Sequence, residues 1–217
     1  MASAEVEKRS PRLTARGAAT RARIVQSAAD LMTVRGVGAT TLEDVRVASG
    51  TSKSQLYHHF TDKDALVRDV IAWQGEQLLA IQEQKLRRLR SMRGLELWRD
   101  AMLQRNRLRQ GAYGCPLGSL ANELSDRNED ARVALADLFA RWEQLLADGF
   151  ERMRKDGVLR DEADPAQLAT QLMAALQGGY LLAQTAHDSR PMELALSMAL
   201  DNVRRYLAGS NGHGPTA

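Results

Sequence analysis

The segment that follows Gly50 carries polar side chains of the types that contact DNA bases. Its strongly apolar residues are Leu56 and Phe60, four positions apart, and this spacing predicts a short helix anchored through one face. A lysine can donate to guanine O6 and N7, and a glutamine amide can bond adenine N6 and N7. The prediction leaves the following residues largely available to a partner: Lys53, Ser54, Gln55, Tyr57 and His58.

Two capping patterns predict the helices that position this segment. Thr40 with Glu43 three residues later is typical of a capping box, and Ser52 with Gln55 repeats the pattern. Between them, Gly50 supplies a residue that adopts a positive φ at no steric cost. Two short helices joined at such a turn form the helix-turn-helix that places its second helix in the major groove, while an ordinary helical hairpin is the alternative.

The rest of the chain is predicted to be helical as well. Across 217 residues, apolar side chains recur at spacings of three and four, and β-branched runs are absent. We expect an all-α fold in which an N-terminal three-helix helix-turn-helix domain is joined by a long helix, Asp62 to Lys85, to a five-helix C-terminal domain. Gly36 ends the first helix. Helices of the C-terminal domain are predicted at about 94–110, 117–125, 128–155, 165–187 and 191–208.

Charge separates the two ends of the chain. Residues 8–25 contain six basic side chains and no acid, whereas residues 110–217 contain 10 basic and 15 acidic ones. The N-terminal half therefore suits a polyanion, although a solvated charged face is the alternative. We divide the chain into a flexible basic arm (1–19), a helix-turn-helix domain (20–66), a C-terminal domain (67–208) to which ligand binding and dimerisation are assigned below, and a disordered tail (209–217).

Several classes of protein are disfavoured by what the sequence lacks. No apolar run approaches the roughly 20 residues that span a bilayer, and the first residues are not typical of a secretory signal, so we expect a cytoplasmic protein without a membrane partner. Cys115 is the single cysteine and the four histidines have no zinc-ligand spacing, so neither a disulfide, a metal nor a cofactor is expected. No catalytic residue is assigned.

The quoted residues resemble a known family. Thr40-Thr41-Leu42-Glu43-Asp44-Val45, followed by the run from Gly50 through Leu56-Tyr57-His58-His59-Phe60 to Lys63, is similar to the signature of the TetR family of transcriptional regulators. The resemblance is close over residues 20 to about 70. It implies a dimer that represses transcription from double-stranded operator DNA and a ligand domain built from the remaining helices.

The resemblance also implies roles for individual residues. Lys53, Ser54 and Gln55 match positions that face bases, and Tyr57 matches one that contacts a phosphate or a thymine methyl. The remaining implied contacts are with the DNA backbone, from His58, Lys63 and the helix-start residue Thr41.

Two residues depart from the family pattern. Arg46 stands where a small residue is usual, and either faces DNA or pairs with Asp44 or Glu43; Thr51 replaces the frequent valine. Both are kept as DNA-contact candidates. Basic residues of the N-terminal arm could also reach the minor groove or neighbouring phosphates: Lys8, Arg9, Arg12 and Arg16.

The C-terminal domain has the residues of an apolar pocket with a few polar groups, which fits a small organic effector. Gln177 and Gln184 lie seven apart on one helix face, and buried amides need partners. Plain core packing is the alternative for every candidate. The candidates are Trp98, Met102, Tyr113, Leu117, Phe139, Trp142, Gln177, Tyr180 and Gln184.

The last two helices are predicted to pair with their symmetry mates as a four-helix bundle. The apolar residues assigned to this interface are Leu168, Leu172, Leu182, Leu196, Leu200, Val203 and Leu207. Gly178 and Gly179, costly inside a helix, suggest a close helix approach. A two-fold dimer implies a palindromic operator, and an effector that tilts the long helix would release it. The rival interpretations are a ligand-independent architectural DNA-binding protein and a helical enzyme. The enzyme is disfavoured because the sequence contains no nucleophile–base pair and no phosphate-binding motif.

Overall fold

The computed structural model describes residues 14–209. Over this range the chain forms nine α-helices and no β-strand, which confirms the all-α prediction. The helices are α1 (Ala15–Arg35), α2 (Leu42–Ser49), α3 (Lys53–His59), α4 (Lys63–Leu86), α5 (Met92–Leu108), α6 (Pro116–Leu124), α7 (Glu129–Lys155), α8 (Pro165–Ala186) and α9 (Arg190–Arg204).

Helices α1 to α3 and the start of α4 form the N-terminal domain around a small apolar core. Its centre is made by Ile24, Val45, Leu56 and Leu66, each buried almost completely. Two local assignments were wrong. The first helix begins at Ala15 because the Thr14 hydroxyl accepts from the backbone N–H of Gly17 at 3.2 Å, so residues 15–19 are helical and not part of an arm.

The second correction concerns the cap of α2. The capping box joins Thr41 with Asp44, one residue later than the Thr40–Glu43 pair that we expected. Thr40 is instead buried, and its hydroxyl donates to the backbone carbonyl of Gly36 at 2.8 Å. The two patterns are adjacent in the sequence, and the burial of Thr40 decides between them.

Helix α4 connects the two domains, as the sequence predicted. Asp62 caps its start by accepting from the N–H of Ala65 at 2.7 Å. Farther along, α4 crosses α7 so closely at Gly75 that a Cβ there would lie 2.4 Å from a methyl carbon of Leu138. Helix α4 is therefore packed into the C-terminal domain over its second half and into the N-terminal domain over its first.

The C-terminal domain is a bundle of α5 to α9 built on the α7, α8 and α9 layer. Helices α8 and α9 pack closely because Gly179 lets the start of α9 approach: a Cβ on Gly179 would lie 2.9 Å from the Cα of Met192. The last helix ends at Arg204 and not at 208, and Leu207 instead forms an isolated antiparallel bridge with Leu159. Among the described residues, no helix is long and apolar enough to cross a membrane.

Candidate nucleic-acid interface and ligand clefts

Helix α3 presents the polar face that the sequence predicted. Leu56 and Phe60 are each 1% exposed and fix the helix to the N-terminal domain. The ring of Tyr57 is about half exposed. The other side chains on the exposed face are Lys53, Ser54, Gln55 and His58.

A capping box holds the start of α3 and engages one of its predicted base contacts. The Ser52 hydroxyl accepts from the N–H of Gln55 at 3.2 Å, and Oε1 of Gln55 accepts from the N–H of Ser52 at 2.9 Å. The Nε2 group of Gln55 remains free to donate. A two-point contact with adenine, which needs both amide atoms, therefore requires this cap to open.

The turn before α3 depends on a glycine and on a buried hydroxyl pair. Gly50 has φ 61° and ψ 31°, the left-handed conformation that the sequence argument required. Thr51, which we had expected to contact DNA, is 3% exposed, and its hydroxyl lies 2.9 Å from that of Ser49. The Thr51 side chain thus stabilises the turn inside the domain and does not present its hydroxyl to DNA.

Arg46 is held by an ion pair on the surface of α2. Its Nε and Nη2 donate to the Glu43 carboxylate at 2.8 Å and 2.6 Å, and the Arg46 hydrogen bond holds the pKa of Glu43 below its ordinary value. Of the two alternatives, the structure therefore favours the surface ion pair. Thr41 is similarly engaged, because its hydroxyl donates to Asp44 at 2.5 Å.

Two arginines of α1 position α3, and sequence reasoning did not identify them. The Arg21 guanidinium lies 4.7 Å from the centre of the Phe60 ring and 2.6 Å from the Asp69 carboxylate. Nε of Arg23 donates to the backbone carbonyl of Ser49 at 2.9 Å. Both had been counted with the basic N-terminal charge. Their contacts show that they bind α1 to the ends of α2 and α3.

The other residues predicted to contact the DNA backbone differ in their surroundings. Lys63 is half-buried and its Nζ lies 3.3 Å from the Gly38 carbonyl oxygen. Arg16 is exposed in the first turn of α1. The remaining arm candidates, Lys8, Arg9 and Arg12, fall outside the described residues, as do 210–217 of the predicted tail.

Two clefts adjoin the segment that joins α5 to α6. The first, which we name the α6–α8 cleft, has a volume of about 290 Å³ and contains four of the predicted ligand-binding residues. Its lining includes Cys115, Gly118, Ser119, Asn122, Phe139, Gln177, Tyr180, Leu181 and Gln184.

The second cleft, which we name the interdomain cleft, has a volume of about 430 Å³ and is bordered by both domains. Its lining includes Tyr113 but no other predicted ligand residue. The lining residues are Asp30, Thr33, Val34, Trp73, Gln74, Gln77, Leu78, Ile81, Arg105, Arg109, Tyr113 and Pro116.

Burial controls the chemistry of the α6–α8 cleft. Burial raises the pKa of the Cys115 thiol, so this group stays protonated, and it raises the pKa of Tyr180 to about 12. The Nε2 atom of Gln177 is buried and forms no hydrogen bond of ordinary geometry, although the Gln177 side chain lies near enough to the Cys115 thiol to oppose part of the rise in the pKa of that thiol. The cleft thus combines apolar walls with neutral polar groups.

The other predicted ligand residues belong to the packed core. Trp98, Met102, Leu117 and Trp142 are each at most 3% exposed and line neither of the two clefts. The Trp98 indole N–H donates to Oε1 of Gln82 at 2.8 Å, so that polar group is already satisfied. These four residues therefore pack in the core, which was the alternative to ligand binding.

The predicted dimer residues are also mostly internal. Leu168, Leu172, Leu196, Leu200 and Val203 are buried within the protomer, and only Leu182 of the predicted set is well exposed. An exposed apolar surface, which we name the α8–α9 face, shares only Leu182 with the predicted set. Its large side chains are all more than half exposed, and they are Leu181, Leu182, Leu194 and Met198.

A carboxylate of the C-terminal domain holds the turn that follows α1. Glu123, near the end of α6, accepts from the backbone N–H groups of Val37 at 3.1 Å and Gly38 at 3.0 Å. Gly36 makes this approach possible, since a Cβ there would lie 2.9 Å from Oε1 of Glu123. The two domains are therefore linked at a second place besides α4.

Comparison with known proteins covers both domains. Residues 24–70 match the profile "Bacterial regulatory proteins, tetR family", and residues 91–198 match "Transcriptional regulator LmrA/YxaF-like, C-terminal domain". An uncharacterised HTH-type transcriptional regulator of Mycobacterium tuberculosis is 31% identical over 80% of this chain and 89% of its own length. From the same species, the HTH-type transcriptional repressor KstR2 is 25% identical over 66% of this chain and 71% of its own length. A TetR-family regulator structure from Cytophaga hutchinsonii shares the fold, with a TM-score of 0.78 at 17% identity over 92% of this chain and 100% of that one.

Proposed function

The chain belongs to the TetR family of bacterial transcriptional regulators, and from this premise we propose that it is a cytoplasmic homodimeric repressor released from a palindromic operator by a small, largely apolar effector. Membership makes it a DNA-binding regulator of transcription. Repression is supported by the repressor KstR2 among its relatives. We propose no catalytic activity, because regulators of this family are not enzymes.

The observation that carries the proposal is the geometry of α3. Its polar face is exposed, while Leu56, Phe60 and the contacts of Arg21 fix its position. A helix held in this way can enter the major groove without first becoming ordered. We propose that Lys53, Ser54 and Gln55 contact bases, and that Tyr57, His58 and Lys63 contact the backbone.

Selection of binding sites from a random duplex library tests this assignment. We expect an inverted repeat, and Tyr57→Ala and Lys53→Ala variants that bind it about tenfold or more weakly in an anisotropy titration. Lys155→Ala, which removes the same charge from the distant end of α7, serves as the control. A library that yields no consensus would favour the architectural alternative, and unchanged binding by both variants would refute the role of α3.

A second copy of the chain is the proposed occupant of the α8–α9 face. Four large apolar side chains are exposed there on two adjacent helices, and Gly178 beside them has open space around the position of a Cβ. Such a surface suits the close helix packing of a two-fold interface. The dimer would place its two recognition helices about one DNA turn apart, which is why the operator is proposed to be palindromic.

Sedimentation analysis of Met198→Glu tests the dimer. The variant buries a charge at the proposed interface, so we expect a folded monomer that no longer binds the operator tightly. Leu108→Glu changes a leucine on α5 that is 80% exposed, against 67% for Met198, and should remain dimeric. A dimeric Met198→Glu protein would rule out this interface.

The α6–α8 cleft is the proposed effector site. Its apolar walls, the buried Nε2 group of Gln177 beside the Cys115 thiol and the neutral hydroxyl of Tyr180 suit an uncharged organic molecule with one or two polar groups. The effector must bind the released form more tightly, and operator DNA must weaken effector binding by the same factor. Screening uncharged aromatic compounds for loss of operator binding tests this, with Gln177→Leu as the variant expected to become unresponsive.

A further inference from the structure

The interdomain cleft contains two arginines whose charges are not neutralised by the protein. Arg105 is half-buried near the end of α5, whereas Arg109, which caps that helix, is exposed. Neither forms an ion pair with an acidic side chain of the described residues, whereas Arg107 between them pairs with Glu193 at 3.0 Å. A half-buried guanidinium without a partner loses part of its hydration and gains no counter-charge, so an anion at this position would be stabilised.

The walls around these arginines are aromatic and apolar. Trp73 is half-buried, and the Tyr113 side chain is 42% exposed, with Ile81 similarly exposed. Trp and Arg side chains both accept a flat ring against them. The volume of about 430 Å³ lies within the range that holds small organic ligands.

The loop that forms one wall is held in an unusual conformation. Tyr113 has φ 65° and Gln110 has φ 51°, which L side chains seldom adopt. Gly111 in this loop packs so closely against α8 that a Cβ would lie 2.5 Å from the Ala183 carbonyl oxygen. The packing of Gly111 keeps the loop in place and so keeps Tyr113 beside the cleft. Strained residues of this kind cluster at ligand sites.

We propose that the interdomain cleft binds an aromatic carboxylate, with its anionic group on Arg105 and Arg109 and its ring against Trp73. Gln74 also lines the cleft, and its Oε1 atom is buried without a hydrogen-bond partner. Asp30 at the α1 side is the acidic residue of the lining and opposes the anion, so the lining carries two positive charges against one negative. This site is separate from the effector site proposed in the α6–α8 cleft.

Isothermal titration with 2-naphthoate, without DNA, tests the proposal on the full chain. We expect Arg105→Gln to weaken binding by about tenfold to a hundredfold, because it removes a charge-assisted hydrogen bond from a half-buried group. Arg109→Gln removes an exposed charge that water screens, so we expect a loss of about two- to fivefold. Arg107→Gln lies on the same helix and should bind normally. Asp30→Asn should bind more tightly, and this variant keeps the test valid if an arginine variant unfolds.

Two competitors identify the chemistry that is recognised. The neutral isostere 2-naphthamide should bind much more weakly than 2-naphthoate, and inorganic phosphate should compete poorly because it lacks the ring. Equal binding of the amide would overturn the role of the arginines, and equal competition by phosphate would overturn the role of the aromatic wall. No binding of 2-naphthoate at millimolar concentration would overturn the proposal, whatever the outcome of the operator experiments.

Discussion

Replacement of Glu123 by alanine should loosen the turn after α1 and leave the recognition helix intact. The carboxylate accepts from the N–H groups of Val37 and Gly38, and the first of these contacts is partly buried whereas the second is exposed. Hydrogen bonds to charged groups contribute about 1.5–3 kcal/mol, and we take the lower end for the buried contact and less for the exposed one. The loss of both is therefore expected to cost about 2 kcal/mol.

This free energy can be measured in two ways. For a domain of this size, about 2 kcal/mol corresponds to a fall in Tm of about 4–8 °C. Hydrogen exchange gives the local signal, because the amides of Val37 and Gly38 should exchange faster in Glu123→Ala while those of α3 should not change. Asp126→Ala removes an exposed carboxylate two residues beyond the end of α6 and serves as the control.

The result that refutes this reasoning is specific. If the amides of Val37 and Gly38 exchange at the wild-type rate in Glu123→Ala and the Tm does not fall, then the carboxylate does not hold the turn. If all amides of the N-terminal domain exchange faster, Glu123 supports the whole domain and not the turn alone. Glu123→Gln should give an intermediate result, because the amide keeps one acceptor oxygen and presents a donor to the second N–H.

Three further predictions concern backbone and burial. Gly179→Ala should lower the free energy of unfolding by about 1–3 kcal/mol, because its Cβ would meet the backbone of Met192. Gly178→Ala should stabilise the protomer by up to about 1 kcal/mol and weaken the proposed dimer. Urea unfolding measures the first effect of each variant, and sedimentation measures the dimer. Gly50→Ala should cost about 1–2 kcal/mol in urea unfolding from its left-handed φ alone, since open space surrounds its Cβ position, and Gly50→Asn should cost less. Burial raises the pKa of Tyr180 in the folded protein to about 12, so the phenol loses its proton at a lower pH in the unfolded chain than in the folded one. The free energy of unfolding should therefore fall by about 2–3 kcal/mol as the pH rises from 10 to 12. Unfolding of Tyr180→Phe should lack that component, and an identical alkaline profile would contradict the burial argument.

Local signals explain why the helix-turn-helix was predictable. The Ser52–Gln55 capping box, Gly50 and the spacing of Leu56 and Phe60 each act within a few residues, so the sequence contains the whole argument. Thr51 was misjudged because its burial depends on packing beneath the turn. A hydroxyl in a polar segment looks the same in the sequence whether it faces solvent or the Ser49 hydroxyl.

Contacts between distant residues were the main source of error. Arg21 reaches Asp69, and Glu123 reaches Val37, across spans for which no pattern in the sequence gives a pairing rule. The periodicity of α8 and α9 marks apolar positions on several sides. It does not show that Leu172 and Leu196 face their own bundle while Leu181 faces outward.

The second link between the domains restricts how a ligand could change operator binding. If α4 were the only connection, it could tilt while the N-terminal domain followed it passively. Glu123 binds the end of α1 to α6, and Arg21 binds the start of α1 to Asp69 of α4. A tilt of α4 must therefore either carry α1 and α6 along together or break the Glu123 contact. A ligand in the interdomain cleft would lie between α1, α4 and the segment before α6, so it would directly favour either the joint movement or the loss of the Glu123 contact. A ligand in the α6–α8 cleft, in contrast, can act on α1 only by moving α6.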